Sequence, residues 1–278
     1  MAQVTEEWVA RYNGPSSLAD RASVVATDVN GNVYVTGESA GSGTGKDYAT
    51  VKYDSNGNLL WVARYNGPGS GDDIPTALAA DAVGNVYVTG ESAGSGTGQD
   101  YATVKYDQTG NLLWVARYNG PGNDFDRAYA LAVDAAGNVY LTGESSGGFS
   151  ALGDYATIKY DTNGNQLWVA RYNGPGSFPS DRAYALAVDA GGNVYVTGTS
   201  ATPPLGETLP RSSTMQMAMR FGLPATQGPA TSGVILIART LWLSTLSETS
   251  ILPERVVVLG ASVTMPRSSM IPMEISSG

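Results

Sequence analysis

The sequence predicts an all-β protein assembled from tandem copies of one four-stranded antiparallel unit. Four tryptophans, Trp8, Trp61, Trp114 and Trp168, recur at intervals of 53, 53 and 54 residues, and each begins a segment W-V-A-R-Y-N-G-P. Between them, short β-branched and aromatic runs alternate with Gly, Asn and Asp, as in consecutive strands joined by turns. A fixed period of this kind indicates an architecture of stacked repeats.

Four strands are predicted in each repeat. In the repeat that follows Trp61 they are Thr76 to Asp81, Asn85 to Gly90, Asp100 to Asp107, and Asn111 to Tyr118. The first and second strands, and the third and fourth, are joined by the spelling D-x-x-G-N. In such a turn, Asp accepts hydrogen bonds from backbone amides ahead of it, and Gly adopts the left-handed conformation that closes a bulged hairpin.

Four antiparallel strands in about 53 residues, repeated in tandem, are typical of a β-propeller, whose sheets are blades packed between neighbours. Both faces of a blade are then covered, so both should be apolar. The fourth strand agrees, with Leu112, Trp114 and Ala116 on one face and Leu113 and Val115 on the other. The first strand, expected nearest the axis, is rich in alanine, as at Ala128, Ala130 and Ala132.

The repeated unit combines D-A-x-G-N-V-Y-V-T-G with D-Y-A-T-V-K-Y-D-x-x-G-N-x-x-W, and it recurs across residues 6–200. In these motifs the chain resembles the bacterial β-propeller repeat known as the SBBP repeat. The resemblance implies a secreted or cell-surface protein. It implies no general catalytic activity and supplies no functional residues.

The repeats predict a partial propeller. Residues 6–200 supply one isolated fourth strand from Glu7 to Tyr12, three complete blades, and the first half of another blade from Ala183 to Gly198. The N-terminal strand would close a ring only by pairing with a third strand that the residues after Gly206 do not encode. We therefore expect an open arc with an exposed sheet edge, which favours aggregation or edge pairing.

The composition changes near Gly206. All 16 Tyr and every Asp, Asn and Lys precede this point, whereas six of the seven Met follow it. If one nucleotide is missing near Gly206, the codons of residues 207–278 read in the shifted frame can encode the repeat again. Because Met has a single codon, the pairs Met270-Ile271 and Met273-Glu274 then force the Asp and the Gly of a D-x-x-G-N turn. We therefore interpret this tail as frameshifted and poorly ordered. The hypothesis requires AGT or AGC codons for Ser213 and Ser269.

The alternative is an evolved tail or a small second domain after residue 206. Its most apolar run, Val234 to Leu246, is interrupted by Arg239. The run has 13 residues, fewer than the roughly 20 that a helix needs to span a bilayer. Neither interpretation predicts membrane insertion.

Composition excludes several classes of function. The chain has no Cys and no His, which removes disulfides, thiolate nucleophiles and histidine-based catalytic triads. Its net charge of −9 disfavours nucleic acid and anionic membrane surfaces as partners. No export signal is visible before Trp8, so we expect secretion to depend on upstream sequence; the alternative is a cytoplasmic protein.

Eight aspartates are candidate ligands at one rim of the propeller. They lie in the loops that join strand two to strand three and one blade to the next: Asp47, Asp72, Asp73, Asp100, Asp124, Asp126, Asp154 and Asp181. Converging carboxylates can hold a divalent cation such as calcium, or a basic ligand. The alternative is a solvated acidic rim with local Asp126–Arg127 and Asp181–Arg182 ion pairs.

Two further features have structural interpretations. The turns Asp54-Asn56-Asn58 and Asp161-Asn163-Asn165 have the initial oxygen spacing of a calcium loop but lack its Gly and its bidentate Glu, so plain hairpin turns are expected. The repeated tryptophans are expected in the packing between blades, because a ligand site usually departs from the repeat.

Near-identical blades argue against an active site, which needs an asymmetric set of positioned groups. We therefore predict a non-catalytic, secreted or cell-surface scaffold or binding module, truncated in this chain, with a protein or carbohydrate ligand and no cofactor. The alternative is a fragment of a propeller enzyme of the quinone-cofactor dehydrogenase or polysaccharide lyase type.

Overall fold

The structure is a computed structural model that describes residues 5–16, 18–147, 153–174, 180–201, 214–221 and 235–239. Within these ranges every regular element is a strand, and the strands form four separate four-stranded antiparallel sheets. In each sheet the strands lie side by side in sequence order. The predicted all-β fold class and four-stranded unit are therefore confirmed.

Each sheet consists of four consecutive strands. The first sheet contains β1 (Asp20–Thr27), β2 (Val33–Ala40), β3 (Lys46–Tyr53) and β4 (Leu59–Tyr65). The second contains β5 (Asp73–Ala80), β6 (Val86–Ala93), β7 (Gln99–Tyr106) and β8 (Leu112–Tyr118). The third contains β9 (Asp126–Val133), β10 (Val139–Ser145), β11 (Asp154–Tyr160) and β12 (Gln166–Tyr172). The fourth contains β13 (Arg182–Val188), β14 (Val194–Ala201), β15 (Thr214–Phe221) and β16 (Ile235–Arg239).

The hairpin turns have the geometry that the D-x-x-G-N spelling predicts. Between β3 and β4, the amide of Gly57 donates to the carbonyl oxygen of Asp54 at 3.1 Å, and Gly57 has a φ of 83°. The Asp54 carboxylate accepts the backbone amides of Asn56 and Asn58 and the side-chain amide of Asn58. The aspartate therefore closes its own turn, and the hairpin interpretation is confirmed.

The sheets pack face to face in sequence order. β5 lies against β1, β2 and β3; β9 lies against β5, β6 and β7; and β13 lies against β9, β10 and β11. The first strand of each sheet is thus innermost and the fourth outermost, as in propeller blades around an axis. Over the described ranges, the array of four sheets is open and does not form a closed ring.

Tyrosines of one sheet fill its interface with the next. Tyr34 and Tyr48 of the first sheet are fully buried and pack against apolar residues of β6 and β7. The Tyr48 hydroxyl lies 3.2 Å from the carbonyl oxygen of Glu91 and 3.3 Å from that of Ala102, to which it donates. Because a buried hydroxyl without a partner is costly, these bonds fix the ring against the next sheet.

The repeated tryptophans also lie between sheets. The ring centroid of Trp114 is 6.4 Å from that of Tyr160 in the third sheet, and its Nε1 donates to the carbonyl oxygen of Thr162 at 3.0 Å. Trp61 makes the equivalent ring contact with Tyr106 at 6.1 Å. The tryptophans are therefore packing residues, as predicted.

The outermost strands are less covered than the sequence suggested. Leu112, Leu113 and Val115 of β8 are all exposed, although both faces of this strand were expected to be buried. The sheets radiate from the inner strands, so neighbouring faces diverge toward the perimeter. In the second and third sheets, which have a neighbouring sheet on each face, only the inner part is sandwiched on both sides.

The N-terminal segment takes the place of a fourth strand without forming one. Residues 5–14 contain no strand, where one was predicted from Glu7 to Tyr12. The ring centroid of Trp8 is nevertheless 6.0 Å from that of Tyr53, and Arg64 donates to the Tyr12 hydroxyl at 3.0 Å. In the described part of the chain no third strand lies beside this segment, so only its side-chain contacts are made.

Two segments of the tail complete the fourth sheet. β15 pairs antiparallel with β14, and β16 pairs with β15, whereas no third strand was expected after Gly206. An open strand edge presents unpaired N–H and C=O groups, which another extended segment can satisfy. The other residues of 207–278 lie outside the described residues, and the frameshift hypothesis stays a prediction.

We predict that Gly164→Ala destabilises the protein more than Gly43→Ala. Both glycines have a positive φ, 83° for Gly164 and 85° for Gly43. An alanine at either position must adopt the left-handed conformation, which costs about 1–2 kcal/mol. A Cβ on Gly164 would also lie 2.8 Å from the Trp114 ring, whereas one on Gly43 meets nothing within 4 Å. Urea unfolding should show an additional loss of about 1–3 kcal/mol for Gly164→Ala; equal losses would contradict the tryptophan packing.

The turn aspartates predict a contribution to stability that is lost in acid. Hydrogen bonds from Asn165 lower the pKa of Asp161 below its usual value. Such a carboxyl contributes stability that is present above its unfolded pKa and lost as the pH falls through its folded pKa. In urea unfolding, Asp161→Asn should therefore flatten the pH dependence of the unfolding free energy between about pH 5 and pH 2. Asp124→Asn, at an exposed loop residue, is the control; the same flattening there would refute the assignment.

Candidate functional site

Three of the predicted rim aspartates lie in ion pairs that are mostly buried. Asp47, Asp100 and Asp154 each face an arginine on the fourth strand of the same sheet, with N–O distances of 2.8, 2.8 and 2.9 Å. The arginine also reaches the preceding sheet, since Arg117 Nη1 donates to the Tyr65 hydroxyl at 2.8 Å. Each aspartate therefore orients an arginine that bridges two neighbouring units of the repeat.

Three more rim aspartates hold the connections between sheets. They accept the backbone amide of a glycine in the N-G-P connection at 2.7, 2.6 and 2.6 Å, respectively: Asp73 from Gly67, Asp126 from Gly120, and Asp181 from Gly174. Burial raises the pKa of Asp73 and of Asp126, and the hydrogen bonds to these carboxyls oppose the rise. These carboxylates fix the chain where it passes from one sheet to the next.

The two remaining rim aspartates lie in loops. Asp72 accepts the backbone amide of Lys46 at 3.0 Å, and Asp124 is exposed. Within the described ranges, no group of three or more acidic side chains is placed to hold a metal ion. Seven of the eight candidates thus have a carboxylate engaged by the protein itself, and calcium binding at the rim stays a prediction.

The sheets differ from one another at one inner position. A β-bulge interrupts each first strand, and the residue skipped by the pairing is Ser23 in β1, Thr76 in β5, Tyr129 in β9 and Tyr184 in β13. Bulges re-aim side chains and are common beside functional sites. We define the axial cluster as the two bulge tyrosines and the charged residues around them: Glu91, Arg127, Tyr129, Glu144, Arg182 and Tyr184.

Two tyrosines of neighbouring sheets form the aromatic part of the axial cluster. The ring centroids of Tyr129 and Tyr184 are 5.4 Å apart, with an interplanar angle of 54°. Tyr184 is 46% exposed, so its ring is accessible from solvent. The guanidinium carbon of Arg127 lies 5.5 Å from the Tyr129 ring centroid, within cation–π range.

Charges of both signs border the two tyrosines. Arg182 forms an ion pair with Glu144, and Arg127 Nε lies 3.4 Å from Glu91 Oε2. Both pairs join one sheet to the next. Burial raises the pKa of Glu91, and the charge of Arg127 opposes that rise. Burial, and then the charge of Glu144, raises the pKa of Tyr129 to about 12, so its hydroxyl remains a hydrogen-bond donor at neutral pH.

The axial cluster was not predicted from the sequence. The first strand was expected to be an alanine-rich packing strand, although Tyr129 lies between Ala128 and Ala130. The available signal was the repeat itself, because the bulged position changes from Ser to Thr to Tyr while its neighbours stay small. The ion pair predicted between Arg127 and its sequence neighbour Asp126 was wrong. In the structure Arg127 pairs with Glu91 of the preceding sheet.

A family model described as SBBP, beta-propeller repeat, matches residues 60–96 and 113–150. Each match runs from a fourth strand through the first two strands of the next sheet. No curated protein matches the chain. Among the described residues, no helix is long and apolar enough to cross a membrane.

Solved structures with a similar fold share little sequence with the chain. A protein of unknown function from Bacteroides caccae has 12% identity and a TM-score of 0.40, with 68% of this chain and 59% of that one covered. The β-propeller domain of the Trilobed protease from Pyrococcus furiosus has 9% identity and a TM-score of 0.42, with 72% of this chain and 54% of that one covered. The periplasmic gluconolactonase from Pseudomonas aeruginosa has 15% identity and a TM-score of 0.42, with 78% of this chain and 69% of that one covered. The chain thus spans less than two thirds of the length of the first two.

We predict that Asp100→Asn destabilises the protein by about 3 kcal/mol, because it removes the carboxylate from the ion pair with Arg117. Asp72→Asn, which alters one hydrogen bond to a backbone amide, should cost about 1 kcal/mol. Both values are measured by urea unfolding, in excess calcium and in excess chelator. Equal losses for the two variants, or a native stability that falls on chelation, would contradict the purely structural role of Asp100.

Proposed function

Residues 60–96 and 113–150 are SBBP β-propeller repeats, and we propose that the open propeller which contains them is a non-catalytic module that binds carbohydrate. The proposed binding site is the axial cluster. For the intact protein we propose a secreted or cell-surface location, in keeping with a carbohydrate polymer as ligand.

The observation that carries the proposal is the pair of tyrosines at adjacent bulges, of which Tyr184 is exposed and Tyr129 half-buried. A sugar ring presents a face of C–H groups that stacks on an aromatic ring and leaves the hydroxyls free at its edge. Tyrosine supplies a large contact area with few rotatable bonds, so little conformational entropy is lost on binding. Tyr184 offers this surface without any rearrangement of the sheet, and Tyr129 supports it from the neighbouring blade.

The charged residues of the axial cluster suit the hydroxyl groups of such a ligand. The Arg182 guanidinium has several N–H donors. Its side chain is 47% exposed, and the buried Glu144 carboxylate orients it. These two side chains already hold each other in the free protein. Ordered donors and acceptors lower the entropic cost of binding, so the site is organised before the sugar arrives.

Two features favour binding over catalysis. Glu91, the cluster carboxylate whose pKa burial raises, is itself buried and is poorly placed to reach a polymer at the surface. Glu144 is also buried and is paired with Arg182. A glycoside hydrolase needs two carboxylates that flank the scissile bond, and these two do not present that arrangement at an accessible surface.

The test is binding of the full chain to a panel of purified neutral and uronic-acid oligosaccharides, measured by isothermal titration calorimetry. We predict that native protein binds at least one panel member and that Tyr184→Ala weakens this binding by about tenfold, as expected for loss of one stacking contact. Ser23→Ala is the matched control, because it changes the same bulge position in the first sheet and should leave the affinity within about twofold.

Three outcomes would overturn the proposal. One is the absence of binding across the panel, and another is equal affinity for the native protein and Tyr184→Ala. The third is cleavage or oxidation of a panel member, detected by chromatography of the mixture after incubation, which would favour the enzyme alternative.

A further inference from the structure

A tyrosine on the third strand of one sheet enters the next sheet beside a glycine. At the second sheet, a Cβ added to Gly90 would lie 2.8 Å from the hydroxyl oxygen of Tyr48. That hydroxyl donates to the backbone carbonyl oxygens of Glu91 and Ala102. The third and fourth sheets repeat the close approach, at 2.7 and 2.6 Å: Gly143 with Tyr101, and Gly198 with Tyr155. Each interface thus depends on a tyrosine from outside the receiving sheet.

The first sheet has the receiving position without an entering tyrosine. Gly37 holds this position, and no tyrosine hydroxyl is among the three atoms nearest to a Cβ added there. A cavity of about 310 Å³ lies here, and Gly37, Glu38 and Ala49 are among its lining residues. Glu38 and Ala49 are the repeat equivalents of the two residues whose carbonyl oxygens accept the Tyr48 hydroxyl. The acceptors for a tyrosine hydroxyl are therefore present at this cavity.

Apolar side chains in the lining of the cavity are less covered than their equivalents in other sheets. Ala22 is exposed, whereas Ala128 and Ala183 at the same position are fully buried. Val35 is half-buried, whereas Val88 at its position in the second sheet is fully buried. A segment that covered them would remove apolar surface from water, which favours its binding.

The N-terminal segment supplies an aromatic side of the cavity. Tyr12 lines it and is the repeat equivalent of Tyr65, whose ring centroid lies 5.4 Å from that of Tyr48. Arg64 donates to the Tyr12 hydroxyl at 3.0 Å, as Arg117 donates to that of Tyr65 at 2.8 Å. Tyr12 is therefore already held where it can contact the ring of a tyrosine that enters the cavity.

Arg11 adds a positive charge to the same lining. Its equivalents each form an ion pair, at 2.8 to 2.9 Å, with the aspartate that directly precedes the entering tyrosine: Arg64 with Asp47, Arg117 with Asp100, and Arg171 with Asp154. Among the described residues, Arg11 itself forms no ion pair. An aspartate followed by a tyrosine therefore matches both the charge and the aromatic side of the cavity.

We propose that this cavity binds an extended third-strand segment of the same repeat, with the sequence Asp-Tyr-Ala-Thr-Val-Lys-Tyr of residues 47–53, presented by another polypeptide. The segment pairs antiparallel with the N-terminal segment in the register of β3 with β4. Its first tyrosine then lies opposite Tyr12 and donates to the carbonyl oxygens of Glu38 and Ala49, and its aspartate pairs with Arg11. In such strand addition, main-chain hydrogen bonds give affinity and side-chain pockets give specificity.

The partner is a different polypeptide in which this strand is unpaired. In the present chain the third strands β3, β7, β11 and β15 each lie between two neighbours of their own sheet. A second copy would have to break a sheet to donate one of them. A chain of this repeat family whose third strand has a free edge meets the requirement without that cost.

The experiment is calorimetric titration of the full chain with a synthetic peptide that has the sequence of residues 47–53 and blocked ends. Native protein should bind one peptide per chain and should not bind a scrambled peptide of the same composition. Tyr12→Ala should weaken binding by about tenfold, through loss of the ring contact. Val9→Ala is the matched control, because Val9 is 60% exposed and does not line the cavity; its affinity should stay within about twofold.

Changes in the peptide test its register. A peptide with phenylalanine in place of the first tyrosine cannot donate to the two carbonyl oxygens and should bind about fivefold more weakly. Arg11→Asp should weaken binding of the unchanged peptide by about tenfold. A peptide with arginine in place of its aspartate should restore the affinity of Arg11→Asp, because the exchanged charges again attract.

Two outcomes overturn the proposal. The first is that native protein does not bind the peptide. The second is binding that Tyr12→Ala and Arg11→Asp both leave unchanged, which would place the peptide elsewhere, for example at the edge of an outer strand. Neither outcome depends on carbohydrate, so failure here is separate from failure of the proposed binding function.

Discussion

The arrangement of the sheets depends on a tyrosine hydroxyl that enters the next sheet beside a glycine. Tyr48 passes Gly90 and donates to two carbonyl oxygens, and Tyr101 occupies the same place at Gly143. The phenol fits here because Gly90 has no Cβ, and its hydroxyl bonds to backbone carbonyl oxygens of the next sheet. This contact sets the distance between neighbouring blades, and with it the positions of the inner strands and of the bulge residues they carry.

Local chemistry explains what could be predicted from the sequence. A D-x-x-G-N turn is determined within five residues, because the carboxylate of Asp54 closes the loop that Gly57 permits. Strands follow from the runs between such turns, and four strands with a constant period lead to the propeller. The repeated tryptophans could be assigned to packing for the same reason, since a side chain present in every unit serves a contact that every unit makes.

Contacts between units explain what could not be predicted. Arg127 stands next to Asp126 in sequence but pairs with Glu91 on another sheet, and only the packing of two blades brings them together. The bulge that displaces Tyr129 depends on strand register, which no short motif specifies. Pairing of β15 with β14 was missed because an open backbone edge accepts extended chain with little regard to side chains. The axial cluster depends both on ion pairs between sheets and on bulges set by strand register. Motifs shared by all the repeats therefore could not predict it.

The near-identity of the sheets has a consequence for how the chain reaches its native state. The strands β4 and β8 have the same sequence, Leu-Leu-Trp-Val-Ala-Arg-Tyr, so each can make the side-chain contacts of the other. During folding, a sheet can therefore stack on the wrong neighbour and still bury its tyrosines. Such misassembled states are kinetic traps of a kind common in repeat proteins. The few differences between blades, at the bulges and in the ion pairs between sheets, are then what discriminates the native order from its permutations.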